Sequence, residues 1–286
     1  MAKLSDCAIG DIVKLNVSGV PKDFTIVHKG LPSADYDVSC DGVWLLMNDV
    51  ATYNRNSTTV VYETRWATSY DTKKYENCDF NREMYQIGRM VDNFVSSLDS
   101  DIAENYVKEV KIPYVYKVDD EDGDVSYRKG SNGFSAKAFI LSAKEVYGEV
   151  DQYTTEGGRL DYFSTHSESD YALVSPQYGS LRWWLRSVYL DSDLTENHFG
   201  YVDTDGSINE VEDIAGRKTC SWRPTIILPY NLSVKNGFVV TSSFSGNANI
   251  SGVWKDLSSG YVNVNGVWKG ISSMYTNVNG IWKPMA

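Results

Sequence analysis

Histidine is scarce in this chain: His28, His166 and His198 are the only three in 286 residues. With so few imidazoles, a histidine-rich zinc site or a Ser-His-Asp centre has little to be built from. No H-E-x-x-H, P-loop or G-x-S-x-G segment is present either, so an enzyme reading has no positive support. Cysteine is nearly as rare. Cys7, Cys40, Cys78 and Cys220 lie far apart with no C-x-x-C pair, the pattern of free, mostly buried thiols in a reducing compartment. Long apolar runs are missing, since VWLLM and TIIL are far too short to span a bilayer. The opening MAKLSDCAIGDIVKLN has neither an apolar h-region nor a cleavage site, so the expectation is synthesis in a cytoplasm with no Sec route out. A basic surplus is absent too: 27 Lys and Arg stand against 38 Asp and Glu, a formal charge of −11. That balance disfavours nucleic acid and anionic membranes as partners.

What the chain does have is apolar and aromatic weight. A hydrophobic fraction of 42% suffices for a packed core, and the 20 tyrosines and 8 tryptophans suit either an aromatic β core or a recognition surface. Residues 8–50 read as strands. Ile12, Val13 and Leu15 precede a turn at Ser18-Gly19, Phe24, Ile26 and Val27 follow it, and Val43-Trp44-Leu45-Leu46 comes next. Met84, Ile87, Met90, Val91, Phe94, Val95 and Leu98 recur at three- and four-residue steps, which predicts a helix, and a shorter helix is expected over Asp101 to Val107. KIPYVYKVDDEDGDVSYRKG predicts a hairpin turning at Asp122-Gly123. The Ser142/Glu145 spacing is a capping box that should open another short helix. From Leu173 the strand pattern returns. Strands enclosing helices make the expected class α+β.

The last segment is repetitive. Trp254, Trp268 and Trp282 fall 14 residues apart, as do Gly252, Gly266 and Gly280, Lys255, Lys269 and Lys283, and Asn249, Asn263 and Asn277. Alternating Val-Asn-Val with Asn-Gly at two of the turns predicts one short hairpin per repeat. The expected organisation is a domain over 1–232, a linker or connecting strand over 233–246, and a small all-β module of three repeats over 247–286. Such units cannot bury an apolar face alone, so they should stack on one another, on the domain or on other copies.

Two stretches invite a chemical reading. Asp203, Asp205, Gly206, Ile208 and Glu212 match positions 3, 5, 6, 8 and 12 of a calcium loop, but position 1 is Tyr201, and Asp-Gly between strands is more simply a turn. Asp203, Asp205 and Glu212 therefore form only a weak metal candidate, and no cofactor is expected beyond calcium there. The second stretch runs from Trp184 to Trp222. Tyr189, Asp191, Asp193, Glu196, Asn197, His198, Tyr201, Asp203, Asp205 and Asn209 have the composition of an adaptable recognition surface on a rigid scaffold. Solvated loops would have the same composition.

IGDIVKLNVSGVPKDFTIVHKGLPSADYDVSCDGVWLLMNDV, VKIPY, FILSAKEVYG, WWLRS and SWRPTIILP, taken together over residues 5–232, resemble a family of Gram-positive bacteria and their phages. That family is a C-type-lectin-like domain, related in fold to formylglycine-generating enzymes and to the variable proteins of diversity-generating retroelements. The resemblance implies a C-type-lectin-like fold with a ligand-facing surface between residues 187 and 222. It also implies that Trp183, Trp184, Arg186, Trp222 and Arg223 are scaffold, the arginines pairing with buried carboxylates or carbonyls. The enzyme relatives use a cysteine pair, whereas only Cys220 lies near the end of the domain, so oxidase chemistry does not carry over. The sugar-binding Glu-Pro-Asn and Gln-Pro-Asp motifs of animal lectins are absent as well. The terminal repeats are similar to those appended to phage tail and adhesion proteins.

These readings lead to an expected function: a phage virion protein, non-enzymatic, recognising a host-surface receptor, glycan included, through the loops between Tyr189 and Asn209. The repeats would serve assembly or attachment to other virion proteins, in a homo-oligomer such as a trimer. The alternatives are a purely structural or decorating virion protein, and a wall-glycan module that uses Trp254, Trp268 and Trp282.

Overall fold

The computed structural model describes residues 2–50, 52–55, 58–61, 94–117, 125–176, 178–189, 198–211 and 220–241, together with the backbone strands of the C-terminal repeats at 246–250, 253–257, 261–264, 267–270, 275–278 and 281–284.

Local chemistry sets the first hairpin. Ile12–Val17 pairs antiparallel with Val20–Lys29, and Val17 opposes Val20 across the two-residue turn Ser18-Gly19. Both turn residues have positive φ, 52° and 75°. This is the requirement of the turn whose twist matches paired strands, and it is why a glycine sits there. Val13 and Leu15 face inward while their neighbours are partly or fully exposed. Farther along, Phe24 to His28 are all buried, and every residue of Val43–Met47 is buried. A strand covered on both faces reads as a continuous apolar run rather than an alternating one. Trp44 is its anchor, meeting Phe139, Tyr36 and His28 edge-on at centroid distances of 5.4, 5.5 and 6.0 Å.

These strands belong to an eight-stranded sheet, in the spatial order Ala2–Lys3, Ser233–Lys235, Phe238–Val240, Ile12–Val17, Val20–Lys29, Val43–Met47, Thr225–Leu228, Ala138–Phe139. Phe238–Val240 runs parallel to Ile12–Val17 and the other pairings are antiparallel, so the sheet is mixed. A smaller sheet joins Trp183–Tyr189, His198–Val202 and Ile208–Val211. Tyr114–Lys117 pairs with Val125–Arg128, the hairpin read from KIPYVYKVDDEDGDVSYRKG; the turn at Asp122-Gly123 lies outside the described residues.

The expectation of an α+β, C-type-lectin-like domain is overturned. The molecule is mostly β, organised around the mixed eight-stranded sheet. Ser100–Asn105, Ala143–Tyr147 and Asp161–Thr165 are helices of five or six residues. A helix of one turn and a half cannot form a layer, so these act as connectors while β-branched and aromatic strands supply the core. Of the helix read over Met84 to Leu98, residues 84–93 lie outside the described residues, and 94–97 are helical. The stretch read as a linker or connecting strand contains two strands of the main sheet, Ser233–Lys235 and Phe238–Val240. They are joined at Asn236-Gly237, where φ is again positive, 53° and 82°. The sheet therefore continues past residue 232 to Val240.

In the C-terminal segment the backbone forms three antiparallel hairpins: Gly246–Ile250 with Val253–Leu257, Tyr261–Val264 with Val267–Gly270, and Tyr275–Val278 with Ile281–Pro284. Asn249 and Trp254, Asn263 and Trp268, Asn277 and Trp282 are cross-strand partners at the same place in each.

Candidate functional site

The helix Ala143–Tyr147 begins with the capping box its spacing announces. Ser142 Oγ accepts from the Glu145 backbone N–H at 3.0 Å, and Glu145 Oε2 accepts from the Ser142 N–H at 2.9 Å. Glu145 does more than cap. It is fully buried, and Arg186 grips it with two hydrogen bonds, Nη1 to Oε2 at 2.6 Å and Nη2 to Oε1 at 2.5 Å. The guanidinium also donates to the carbonyls of Ile140 (2.8 Å) and Pro113 (3.3 Å). Burial opposes its charge, but Glu145 more than compensates and holds its pKa above the usual arginine value. A bidentate pair with its remaining donors satisfied is the arrangement in which a buried charge is tolerable.

Tyr36 closes the other side. Its hydroxyl donates to Glu145 Oε1 at 2.5 Å and accepts from the Gly158 N–H at 3.2 Å. Burial, then the Glu145 charge, raises this phenol well above its ordinary pKa. Gly157 is required here: φ is +96°, and a Cβ would come within 2.4 Å of the Tyr36 hydroxyl oxygen. The Gly157 N–H donates to Tyr127 Oη (3.1 Å), which donates to Asp35 (3.0 Å), which also receives Lys129 (3.0 Å). The buried pair is thereby linked to the surface.

One carboxylate in the cluster is poorly served. Glu156 Oε1 accepts from Ser187 Oγ at 2.8 Å, while Oε2 is buried and makes no hydrogen bond of normal length. Burial pushes its pKa up to about 7, although Arg186, Thr154 and Ser187 all favour the charged form. Ser187 also accepts from the Ala143 N–H at 2.8 Å, and Ser142 Oγ donates to the Glu156 carbonyl at 2.7 Å. The strand Trp183–Tyr189 is thus bolted from below at two successive residues, Arg186 and Ser187.

That strand leads into the stretch read as a recognition surface. Tyr189 pairs with His198, so the sequence between them, LDSDLTEN with Asp191, Asp193, Glu196 and Asn197, connects two paired strands. Those four residues lie outside the described residues, and His198 is placed by its backbone alone. Tyr189 is half-buried against Tyr153 at 5.2 Å. Tyr201 is buried, edge-on to Trp184 at 6.4 Å with the Arg182 guanidinium 5.3 Å from its ring, so it belongs to the packed face and is not displayed. Asn209 is exposed on the edge strand.

Asp203 and Asp205 serve a hairpin turn. Asp203 Oδ1 accepts from the Thr204 N–H (2.7 Å) and Arg182 Nε (2.9 Å), and Asp205 Oδ1 accepts from Ser207 N–H (2.9 Å) and Oγ (2.6 Å). Gly206, at φ +90°, passes so close that a Cβ would collide with the Glu168 carbonyl, and its own carbonyl accepts from Tyr147 at 2.5 Å. Glu212 lies outside the described residues, and no group of three His, Cys, Asp or Glu suited to a metal occurs among those described.

The five residues read as scaffold, Trp183, Trp184, Arg186, Trp222 and Arg223, are all buried. Among the described residues the hydrogen-bond partners of Arg223 include no carboxylate: Nε donates to the Met47 carbonyl (2.6 Å) and Nη2 to Asn48 (3.0 Å), its guanidinium sits 5.4 Å from the Trp183 ring, and burial lowers its pKa to about 10. Cys40 is a buried and Cys7 a half-buried free thiol, Cys220 is buried, and Cys78 lies outside the described residues. His28 is buried, its Nδ1 2.9 Å from Asp161, and His166 stacks on Tyr162 at 4.0 Å in an exposed turn. Trp254, Trp268 and Trp282 are placed by backbone alone.

Sequence reasoning missed Tyr36, Glu156 and Ser187 altogether, and saw Glu145 only as a cap. The Glu156-Gly157-Gly158 run was the available signal, but only the fold shows what the glycines pass over. Residues 41–230 match the family model described as a domain of unknown function, DUF6273, and the chain belongs to that family. No curated protein and no solved structure matches it.

Proposed function

We propose that this chain is a non-enzymatic binding protein of a phage particle. Recognition of a host-surface receptor is carried by the hairpin between Tyr189 and His198, and attachment by the C-terminal repeats. The observation that carries the reading is the bolted strand. Arg186 and Ser187, on the strand that leads toward the loop, are fixed to Glu145, Glu156 and the helix Ala143–Tyr147, so that strand is a rigid base. A loop presented this way pays less ordering entropy on binding than one on a free chain. The loop brings three carboxylates, Asp191, Asp193 and Glu196, within one short connection. A reading of the buried cluster itself as a reaction centre is less favoured, because Glu145 and the Arg186 side chain are 0% and 1% exposed and neutralise each other. The similarity of the repeats to phage tail and adhesion proteins supports the particle setting.

The test is binding of labelled full-length protein to a panel of Gram-positive cells, beside the triple variant Asp191→Asn, Asp193→Asn, Glu196→Gln. Loss of binding with an unchanged melting temperature is the expected result. Undiminished binding by the triple variant would remove recognition from this loop.

A further inference from the structure

Away from the loop, the main sheet carries a polar cleft. Lys14 and Asp23 are cross-strand partners whose side chains form an ion pair. The chain leaves the strand Val43–Met47 at Asn48-Asp49, and the Asn48 N–H donates to the Asp23 carbonyl at 2.8 Å. With Lys22 and the exposed prolines Pro21 and Pro176, these residues line a cleft of about 350 Å3. That is within the size range of small-molecule sites, roughly 300–1,000 Å3.

Its polar groups are held by buried partners. Asn48 Oδ1 accepts from Thr25 Oγ1 at 2.8 Å and from Arg223 Nη2 at 3.0 Å. A guanidinium can only donate, so the amide atom facing it is the oxygen, and the orientation of the amide is settled. The Asn48 Nδ2 hydrogens have no partner among the described residues, and Asn48 lines the cleft. Asp49 is buried; its Oδ1 accepts from Ser175 Oγ (2.7 Å) and the Val50 N–H (2.8 Å), and its Oδ2 from Lys22 (2.6 Å). Thr25, Ser175 and Arg223 are all buried. A buried arginine without a carboxylate is a costly way to hold one amide. It makes sense where the direction of that amide matters, as in a site whose contact groups are fixed by a supporting layer.

Charge narrows the ligand. Lys14 and Lys22 cancel Asp23 and Asp49, so a charged ligand must break an ion pair or leave a charge unmatched. A neutral ligand with several hydroxyls need do neither. Each hydroxyl both donates and accepts, so it can take the Asn48 and ammonium hydrogens and donate to carboxylate lone pairs that the lysines leave over. Its C–H faces can lie against the two proline rings. The geometry points to a binding cleft for a neutral saccharide unit, with Asn48 as its fixed donor. No residue of the cleft belongs to the loop between Tyr189 and His198, so the assignment stands apart from that reading.

The experiment titrates the full-length protein with glucose, galactose and N-acetylglucosamine, and with glucuronate, galacturonate and glucose 6-phosphate, by saturation-transfer NMR and calorimetry. Expected is binding of at least one neutral sugar, with the charged sugars weaker. Asn48→Asp keeps the oxygen that Thr25 and Arg223 hold, gives Arg223 a carboxylate and removes the amide donors. It should preserve or raise the melting temperature while weakening sugar binding about fivefold or more. Lys14→Gln, at a half-buried position, should weaken it about two- to threefold. Absence of neutral-sugar binding at millimolar concentration overturns the inference, and so does tighter binding of a charged sugar or an Asn48→Asp variant of unchanged affinity. Should Asn48→Asp melt lower, Lys14→Gln decides: unchanged affinity there overturns the inference, and weaker binding at an unchanged melting temperature supports it. The acidic-loop variant leaves the cleft intact, so its effect on cell binding is read separately.

Discussion

The body and the repeats are both β, and they are built in opposite ways. In the repeats each strand pairs with the next across two residues, as Val264 with Val267 and Val278 with Ile281. In the body, strands that lie side by side are often remote in sequence: Thr225–Leu228 beside Val43–Met47, and Ser233–Lys235 beside Ala2–Lys3. Local pairing costs little loop-closure entropy and leaves its mark as a short-range pattern. Remote pairing must be offset by extensive burial and leaves no such mark. The difference teaches where cooperativity should reside. The body's core and its Glu145–Arg186–Tyr36 cluster should melt as one unit, and each hairpin should be close to a private matter.

The strongest way to break that comparison is Arg186→Met. It leaves Glu145 buried without its cation, and the body should lose about 3–5 kcal/mol in a urea melt. Arg186→Met combined with Glu145→Leu should recover part of the loss, since both charges are gone while the Tyr36 hydroxyl and the Ser142 N–H lose their acceptor; a double variant no better than the single would show that the cluster is not an ion pair energetically.

A smaller effect should follow from Glu156. Its carboxyl has a folded-state pKa of about 7 against an ordinary 4.5. In the folded state it therefore holds its proton at a pH where the unfolded chain has lost it. Stability is highest below pH 4.5 from this group, declines as pH rises toward 7, and carries the full penalty above it. Glu156→Gln should remove that slope and stabilise the body at pH 8 by on the order of 1–2 kcal/mol. Equal melting shifts at pH 5 and pH 8 would count against it.

The smallest expected effect sharpens the contrast from the other side. Removing residues 272–286 deletes one hairpin whose pairing is internal, and the body's unfolding free energy should move by less than about 0.5 kcal/mol. A large shift would place the repeats inside the cooperative unit.

Legibility followed the same division. The first hairpin, the Ser142–Glu145 cap and the paired strands around Asp122-Gly123 were readable because each is a rule of neighbours: turn residues between β-branched runs, or a side chain reaching three positions along. Asn236-Gly237 carries the same signal, and the stretch read as a linker or connecting strand holds two strands of the main sheet joined there. The α+β expectation failed because periodicity marks an apolar helical face without saying how much of a core the helices will provide. At the site, Arg186 and Arg223 were read as scaffold, but Glu145, Tyr36, Glu156 and Ser187 come from four separate stretches of chain and share no spacing.

The sequence by itself determined the elements whose partners are close: the turns, the cap, the period of 14 residues and the cation that recurs in each repeat, together with the acidic balance of the whole. The tertiary structure alone decided the order of the eight strands, the insertion of Phe238–Val240 beside Ile12–Val17, and the meeting of a tyrosine, two glutamates and an arginine under one strand. The physical reason is range. A hydrogen bond between neighbours is specified by the residues that make it, whereas burial of a charge is satisfied only once distant segments have closed around it.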